Sequence, residues 1–247
     1  MRDASGRPGR VALWVTCLVD QLFPQVGEAA VAVLRRAGVE VDVPLAQTCC
    51  GQVAFNDGFW PEAARLARKF LNDFGGAEAV VTPSASCATM VREFYPLLLR
   101  DDPPAAVRAR DLAARTYELT EFLVDVLDAG DLGARFPHRV TCHASCHSLR
   151  GLRLRDQPLR LLRAVRGLEL RELPGLEECC GFGGMFAVTF AALSGSMLHA
   201  KMAAVEASGA EVVTSTDCSC LMHIAGGLSR RGSAVRAVHI AEILAAR

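Results

Sequence analysis

Cysteines are the residues of this sequence whose spacing most clearly predicts chemistry. Eight of the ten form two sets with the same internal order: one cysteine, an adjacent pair followed by glycine, and one more cysteine. The first set is Cys17, Cys49, Cys50 and Cys87, and the second is Cys146, Cys179, Cys180 and Cys220. Four thiolates suit either a tetrahedral zinc ion or an iron–sulfur cluster. The sequence therefore predicts two similar metal or cluster sites.

The spacing within each set favours an iron–sulfur cluster over zinc. Structural zinc usually takes cysteines in pairs about two to four residues apart, whereas here two cysteines are adjacent and the others lie more than 30 residues away. Adjacent side chains reach one small ion only with strain, but a cluster with several irons can be bound at different corners. Gly51 and Gly181 follow the pairs, where glycine permits positive φ and lets backbone N–H groups approach inorganic sulfide.

Two cysteines lie outside the repeated pattern. Cys142 and Cys218 have no counterpart in the other half of the chain, so we interpret them as buried core thiols or neighbours of the ligands. Cys218 is only two residues from Cys220, and it is the alternative ligand at that position.

Two histidines and an arginine surround Cys146. His143 and His147 flank it, so a mixed nitrogen and sulfur zinc site is an alternative to a cluster. Histidines in such places more often cap or hydrogen-bond the following helix. Arg150, one turn further on, is either a counter-charge for the thiolates or an ordinary solvent-facing arginine.

The elements that must position these cysteines are encoded twice. The Cys-Cys-Gly motifs at 49–51 and 179–181 are 130 residues apart, and the Ser-Cys pairs at 86–87 and 219–220 are 133 apart. Residues 117–123 also resemble residues 238–244. We predict a flexible N-terminus over residues 1–10, a first cysteine-rich repeat over 11–132 and a second over 133–247. A segment with two glycines and a proline separates the repeats.

Within each half, short β-branched runs alternate with amphipathic helical stretches. Strands are predicted at residues 11–16, 39–43 and 79–82, with counterparts at 140–141, 168–173 and 211–214. Helices between the strands of the first half should end before Gly38 and Gly75. Alternating strands and helices indicate an α/β fold with two similar parallel-sheet halves and covering helices. The cysteines follow the carboxyl ends of strands, where parallel sheets bind ligands.

Composition excludes several classes of protein. Lysine plus arginine and aspartate plus glutamate each number 27, so no excess positive charge favours nucleic acid or an anionic lipid surface. No uncharged apolar run reaches the length of a membrane span, about 18 residues, and the first residues do not resemble a signal peptide. We expect a cytoplasmic protein, whose cysteines serve metal or redox chemistry more often than disulfides. Neither a dinucleotide fingerprint nor a phosphate loop occurs.

Five stretches carry a family resemblance: Gln-Thr-Cys-Cys-Gly-Gln at 47–52, Pro-Ser-Ala-Ser-Cys at 83–87, Ser-Cys-His-Ser-Leu-Arg at 145–150, Cys-Cys-Gly-Phe-Gly-Gly at 179–184 and Ser-Cys-Leu-Met-His-Ile at 219–224. They resemble the cysteine-rich CCG-domain proteins, which include the heterodisulfide reductase B subunit and the iron–sulfur subunit of glycolate oxidase. More closely, the chain resembles the lactate utilization protein A family over nearly its whole length.

The resemblance implies a subunit of an oxidoreductase system for L-lactate utilization rather than a complete enzyme. It would transfer electrons during oxidation of L-lactate to pyruvate, with a ferredoxin-like iron–sulfur subunit and a third lactate utilization subunit as partners. The alternatives are a structural or assembly subunit that holds zinc, and a cluster-based heterodisulfide or thiol reductase subunit.

The wider group also binds a noncubane [4Fe–4S] cluster through a fifth cysteine. Here Ser84 and Asp217 stand at that position. With four candidate ligands in each half, an ordinary [4Fe–4S] cluster is expected, and zinc at one site is the alternative.

Overall fold

The computed structural model describes residues 7–247, and its contacts divide the chain after Ala129 into two compact units. Each unit contains a four-stranded sheet in which every pairing is parallel. The predicted α/β fold with two similar parallel-sheet halves is therefore confirmed. Residues 1–6 of the predicted flexible N-terminus lie outside the described part of the chain, and Arg10 already begins the first strand.

In the first unit the strand order is β2-β1-β3-β4. The strands are β1 (Arg10–Leu13), β2 (Glu40–Asp42), β3 (Val80–Thr82) and β4 (Thr116–Glu118). The helices are α1 (Cys17–Leu22), α2 (Pro24–Arg36), α3 (Gln52–Asn56), α4 (Trp60–Phe74), α5 (Ala85–Thr89), α6 (Tyr95–Leu98), α7 (Pro103–Ala113) and α8 (Leu119–Glu121). Two π-helical segments, Met90–Phe94 and Phe122–Val126, continue α5 and α8.

The second unit repeats this topology with the order β6-β5-β7-β8. The strands are β5 (Arg139–Cys142), β6 (Glu169–Arg171), β7 (Val212–Ser215) and β8 (Arg236–His239). The helices are α9 (Gln157–Ala164), α10 (Phe186–Thr189), α11 (Ala191–Ala207), α12 (Cys218–Arg230) and α13 (Ile240–Ala245). A π-helical segment, His147–Gly151, follows Cys146.

The strand predictions missed the fourth strand of each sheet, β4 and β8. The last two residues of each strand are the first two of the similar stretches at 117–123 and 238–244. Each ends in a capping box, formed by Glu118 with Glu121 in the first unit and by His239 with Glu242 in the second. The reciprocal hydrogen bonds satisfy N–H groups at the helix start, which explains why this short pattern recurs.

The helix ends follow the predictions in position but differ in backbone conformation. Helix α2 is followed by Gly38 at φ 85°, the left-handed conformation that glycine adopts easily. Helix α4 ends at Phe74, as predicted, but Gly75 keeps right-handed helical angles.

The two units bury different side chains against the cysteine-bearing end of the sheet. The core of the first unit is aromatic there, with Trp14, Phe70, Phe74 and Tyr95 packed together. The core of the second unit is mainly aliphatic and includes Met202, Val205, Val213, Ile224 and Leu228. None of the helices in residues 7–247 combines the length and the hydrophobicity of a transmembrane segment. All ten cysteines lie in that range, and none forms a disulfide.

Candidate metal centres

The first unit brings its four predicted cysteines to the carboxyl edge of its sheet. Cys17 begins α1 shortly after β1, Cys49 and Cys50 lie between β2 and α3, and Cys87 lies in α5 after β3. The Cys17 thiol donates to the Cys49 sulfur at 3.6 Å. Cys50 hydrogen-bonds with both Cys49 and Cys87. Four cysteines from three loops therefore form one continuous cluster of thiols.

The second unit repeats the cluster with its own four cysteines. Cys146 precedes the π-helical segment, Cys179 and Cys180 lie between β6 and α10, and Cys220 lies in the first turn of α12. Cys179 is hydrogen-bonded to Cys146 and Cys180, and Cys180 also bonds to Cys220. The hydrogen bonds therefore link the four cysteines in the same order as in the first unit.

In each cluster, the first cysteine of the adjacent pair accepts hydrogen bonds from two other thiols. In the first unit, hydrogen bonds from Cys17 and then Cys50 lower the pKa of Cys49 to about 2. In the second, hydrogen bonds from Cys146 and Cys180 lower the pKa of Cys179 to about 2. The same bonds, together with burial and nearby thiolate charge, raise the pKa of the donating thiols.

Because their pKa values are raised, two thiols of each cluster, Cys17 with Cys50 and Cys146 with Cys180, keep their protons when no compensating charge is present. Like charges in a partly buried site disfavour one another. A bound metal cation removes that penalty and leaves all the thiols deprotonated. The donor set of each unit therefore fits a thiophilic metal or cluster.

The glycine of each Cys-Cys-Gly motif turns its backbone N–H toward the cluster. Gly51 N–H donates to the Cys49 sulfur at 3.4 Å, and Gly181 N–H donates to the Cys179 sulfur at 3.3 Å. Both glycines have positive φ, 80° and 89°, so the expected conformation is present. N–H donors of this kind orient and stabilise metal-bound thiolates.

The residues at the family's fifth cysteine position are engaged within their own units. Ser84 caps α5 and accepts a hydrogen bond from the Cys87 N–H at 3.4 Å. Asp217 is buried and accepts a hydrogen bond from the Ser145 hydroxyl at 2.6 Å. Each side chain thus supports the segment that carries a predicted ligand.

Cys142 and Cys218 occupy core positions. Cys142 ends β5 at the place that Leu13 takes in β1, and Cys218 begins α12 where Ala85 begins α5. All four residues are buried. Their surroundings agree with the interpretation of these two cysteines as core thiols.

The surroundings of Cys146 differ in part from the expectations. Arg150 is exposed and donates to the Glu177 carbonyl at 3.1 Å, so it is the solvent-facing arginine. The expectation that His143 caps a helix is wrong, because neither ring nitrogen has a hydrogen-bond partner among the described residues. A ring nitrogen of His143 and the sulfurs of Cys180 and Cys220 lie within 4.8 Å of one another.

Sequence reasoning missed a buried cation beside the second cluster. Lys201 is 0% exposed, and its ammonium donates to the Gly175 carbonyl at 2.7 Å. Burial lowers its pKa, while the charges of Glu178 and of the cluster cysteines oppose that shift. A lysine between apolar residues of a long helix is usually solvent-facing, so its burial could not be predicted from the neighbouring residues.

A duplicated parallel α/β unit with four convergent cysteines at each sheet edge defines a two-repeat, cysteine-rich class of protein whose thiols suit a metal or a cluster. The family model of the CCG cysteine-rich domain matches residues 11–92 and 140–225. These two matches cover the strands and loops that carry all eight predicted ligands.

Similar proteins narrow the family further. Lactate utilization protein A of Bacillus velezensis is 50% identical over 96% of this chain and 100% of its own length. The proteins of the same name from Bacillus subtilis and Geobacillus kaustophilus are each 48% identical over 96% of this chain and 100% and 99% of their own lengths. The chain belongs to the lactate utilization protein A family of CCG cysteine-rich proteins.

One solved structure shares the fold at low identity. A hypothetical protein from Helicobacter pylori superposes with a TM-score of 0.67 over 96% of this chain, at 11% sequence identity. The chain spans 48% of that protein's length.

Proposed function

We propose that this chain is an iron–sulfur, electron-transfer subunit of a cytoplasmic oxidoreductase system that oxidises L-lactate to pyruvate. The observation that carries the proposal is the pair of four-thiol clusters, each with the same order of contacts and the same N–H donor. Relatives that match the chain from end to end are named for lactate utilization. That shared name supports the assignment of this chain to L-lactate oxidation.

The residues that would hold a cluster are Cys17, Cys49, Cys50 and Cys87 in one unit and Cys146, Cys179, Cys180 and Cys220 in the other. An iron–sulfur cluster bound there supplies one-electron transfer. The chain's own contribution is to hold the sulfurs, exclude water from the buried side and balance charge with backbone N–H groups.

The edge that carries the cysteines is also the best surface for an electron-transfer partner. In each unit the first cysteine of the cluster and the first of the adjacent pair are only partly buried, so the site reaches the surface there. Beside the second cluster, Val188 and Phe190 are 70% and 58% exposed. Exposed apolar groups next to a redox site favour docking of another protein. We propose a ferredoxin-like iron–sulfur subunit as the direct partner, within a system that includes a third lactate utilization subunit.

A second candidate function follows from the histidine beside the second cluster. A buried imidazole within reach of two cysteine sulfurs is also a donor set for zinc. In that case the second unit holds a structural zinc ion and only the first unit takes part in electron transfer.

Metal analysis of the anaerobically purified full chain separates these functions. We expect iron and acid-labile sulfide in comparable amounts, approaching about four irons for each loaded site, and a brown colour that bleaches on reduction. Stoichiometric zinc in both units without sulfide would refute the electron-transfer proposal. Iron for one site with zinc for the other would support the second candidate.

A deletion strain tests the pathway. We expect poor growth on L-lactate and normal growth on pyruvate, in a background with no other lactate dehydrogenase. Restoration by the unaltered gene but not by one encoding Cys50→Ser would connect growth to the first cluster. Normal growth of the deletion strain on L-lactate would show that the pathway is wrong while leaving the metal result unaffected.

A further inference from the structure

The two units can be compared position by position around their clusters. Trp14 N–H donates to the Val81 carbonyl at 2.8 Å, and His143 N–H donates to the Thr214 carbonyl at 2.7 Å. These bonds join the first and third strands at the same place in each sheet. His143 is therefore the structural counterpart of Trp14.

A second pair of counterparts lies on the helix that covers each cluster. A Cβ on Gly51 would meet Ala63 and Leu66 of α4, and a Cβ on Gly181 would meet Ser194 and Met197 of α11. Each contact residue on α11 thus lies 131 positions after its counterpart on α4. Lys201 lies 131 positions after Phe70, so these two side chains also occupy equivalent places on the two helices.

In the first unit both members of this pair, Trp14 and Phe70, are aromatic, and their one polar group has a hydrogen-bond partner. The rings of Trp14 and Phe70 pack edge to face with centroids 4.6 Å apart. The Trp14 indole N–H donates to the Thr48 carbonyl at 3.1 Å. No donor or acceptor of this pair is left for a metal.

In the second unit the equivalent pair is an imidazole and an ammonium. His143 is 1% exposed, and both its ring nitrogens lack a hydrogen-bond partner within residues 7–247. Leaving a buried polar group without a hydrogen bond destabilises the folded state. Lys201 has the Gly175 carbonyl as its acceptor, so it does not satisfy the imidazole.

Geometry gives His143 a partner in the cluster. Its ring nitrogen, the Cys180 sulfur and the Cys220 sulfur lie within 4.8 Å of one another, and all three residues are buried. We propose that the second site is a mixed nitrogen and sulfur centre in which His143 binds the metal together with Cys180 and Cys220, whereas the first site is bound through sulfur alone. This rests on the proposed function, since it requires that the second unit holds a metal centre.

The difference between the sites has a redox consequence. A neutral imidazole adds no negative charge where a further thiolate would, and the Lys201 ammonium adds positive charge nearby. Both effects stabilise the reduced form of a metal centre. The second site is therefore the easier of the two to reduce.

The test is pulsed electron paramagnetic resonance of the reduced full chain, prepared with ordinary and with ¹⁵N-labelled histidine. We expect a strong nitrogen coupling that changes frequency on labelling. It should be lost in His143→Gln and kept in His147→Gln and His223→Gln, the other two histidines near the cysteines of this site. If the second unit holds zinc, cobalt(II) loaded in its place gives the same readout.

Each outcome decides between the alternatives. No strong histidine coupling in the unaltered chain, or its loss in His147→Gln rather than His143→Gln, overturns the proposal. If His143→Gln does not fold, retention of the coupling in both control variants still assigns it to His143. Metal content of Cys180→Ser relative to the unaltered chain shows whether the second site is loaded. An unloaded second site refutes a metal function there, whereas a loaded site without histidine coupling refutes only the ligand.

Discussion

The glycine of the second Cys-Cys-Gly motif is held against helix α11. Gly181 has φ 89°, and a Cβ built there would lie 2.7 Å from the Ser194 carbonyl oxygen and 2.9 Å from the Met197 Cβ. The Ser194 hydroxyl also donates to the Gly181 carbonyl at 2.7 Å. Alanine at this position would therefore force the backbone of the loop away from the helix.

The expected cost of Gly181→Ala has two parts. A left-handed backbone costs a non-glycine residue roughly 1–2 kcal/mol, and overpacking against neighbours that cannot move costs typically about 1–3 kcal/mol. We expect the free energy of unfolding to fall by about 2–5 kcal/mol. Metal content should fall with it, because the Gly181 N–H and the adjacent Cys180 move with the loop.

Two other glycines serve as matched controls. Gly209 has φ 66° and nothing within 4 Å of its built Cβ, so Gly209→Ala has only the conformational cost. The built Cβ of Gly51 would meet first the flexible end of Leu66 at 3.2 Å, so Gly51→Ala should fall between the two.

Urea denaturation of the reduced, metal-free variants, followed by circular dichroism, ranks the three variants by their loss of unfolding free energy. A destabilisation by Gly181→Ala no larger than that by Gly209→Ala would refute the steric argument. It would leave the N–H contact with Cys179 as the reason for glycine in this motif.

Individual buried side chains give three more expected outcomes. Cys180→Ser should lose most of the metal of the second site and lower the midpoint temperature of thermal unfolding. Cys142→Ser should keep the metal, because Cys142 occupies a core position. Burial raises the pKa of Glu118 from 4.5 to about 8, so the unfolding free energy should decrease as pH rises between these values, by at most about 5 kcal/mol; Glu118→Gln should flatten that dependence. Lys201→Met should lower the reduction potential of the second site by removing positive charge near Cys179 and Cys180.

Each of these outcomes has its own control. Equal metal loss in Cys142→Ser and Cys180→Ser would mean that the second site uses a different set of ligands. The pH dependence of the unfolding free energy can be measured by urea denaturation from pH 5 to 8. An equally steep dependence in Glu118→Gln and in the unaltered chain would contradict the inference that Glu118 is protonated in the folded protein. For the lysine, Lys69→Met is the comparison, because Lys69 is partly exposed on α4 of the first unit. A redox titration in which both variants keep the original potential would exclude an electrostatic role for Lys201.

The duplication, the parallel strands and the eight convergent cysteines could all be predicted from the sequence. Constant offsets near 130 residues preserve the order of elements in both halves. Because parallel strands end at one edge, cysteines placed just after strands must approach one another there. The observed contacts, such as the 3.6 Å between Cys17 and Cys49, follow from that constraint. The strands β4 and β8 were missed, although the stretches 117–123 and 238–244 were recognised as similar to each other.

The tertiary structure decided which side chains surround the second site. The sequence offered both His143 and His147 as alternative ligands beside Cys146, and position 201 reads only as a lysine in a helix. The burial of His143 and Lys201, and the absence of a hydrogen-bond partner for His143 among the described residues, depend on packing between a strand and a helix about 60 residues apart. Sequence spacing records which side chains share an element. It does not record which side chains of different elements exclude water from each other, and that exclusion makes the second site chemically different from the first.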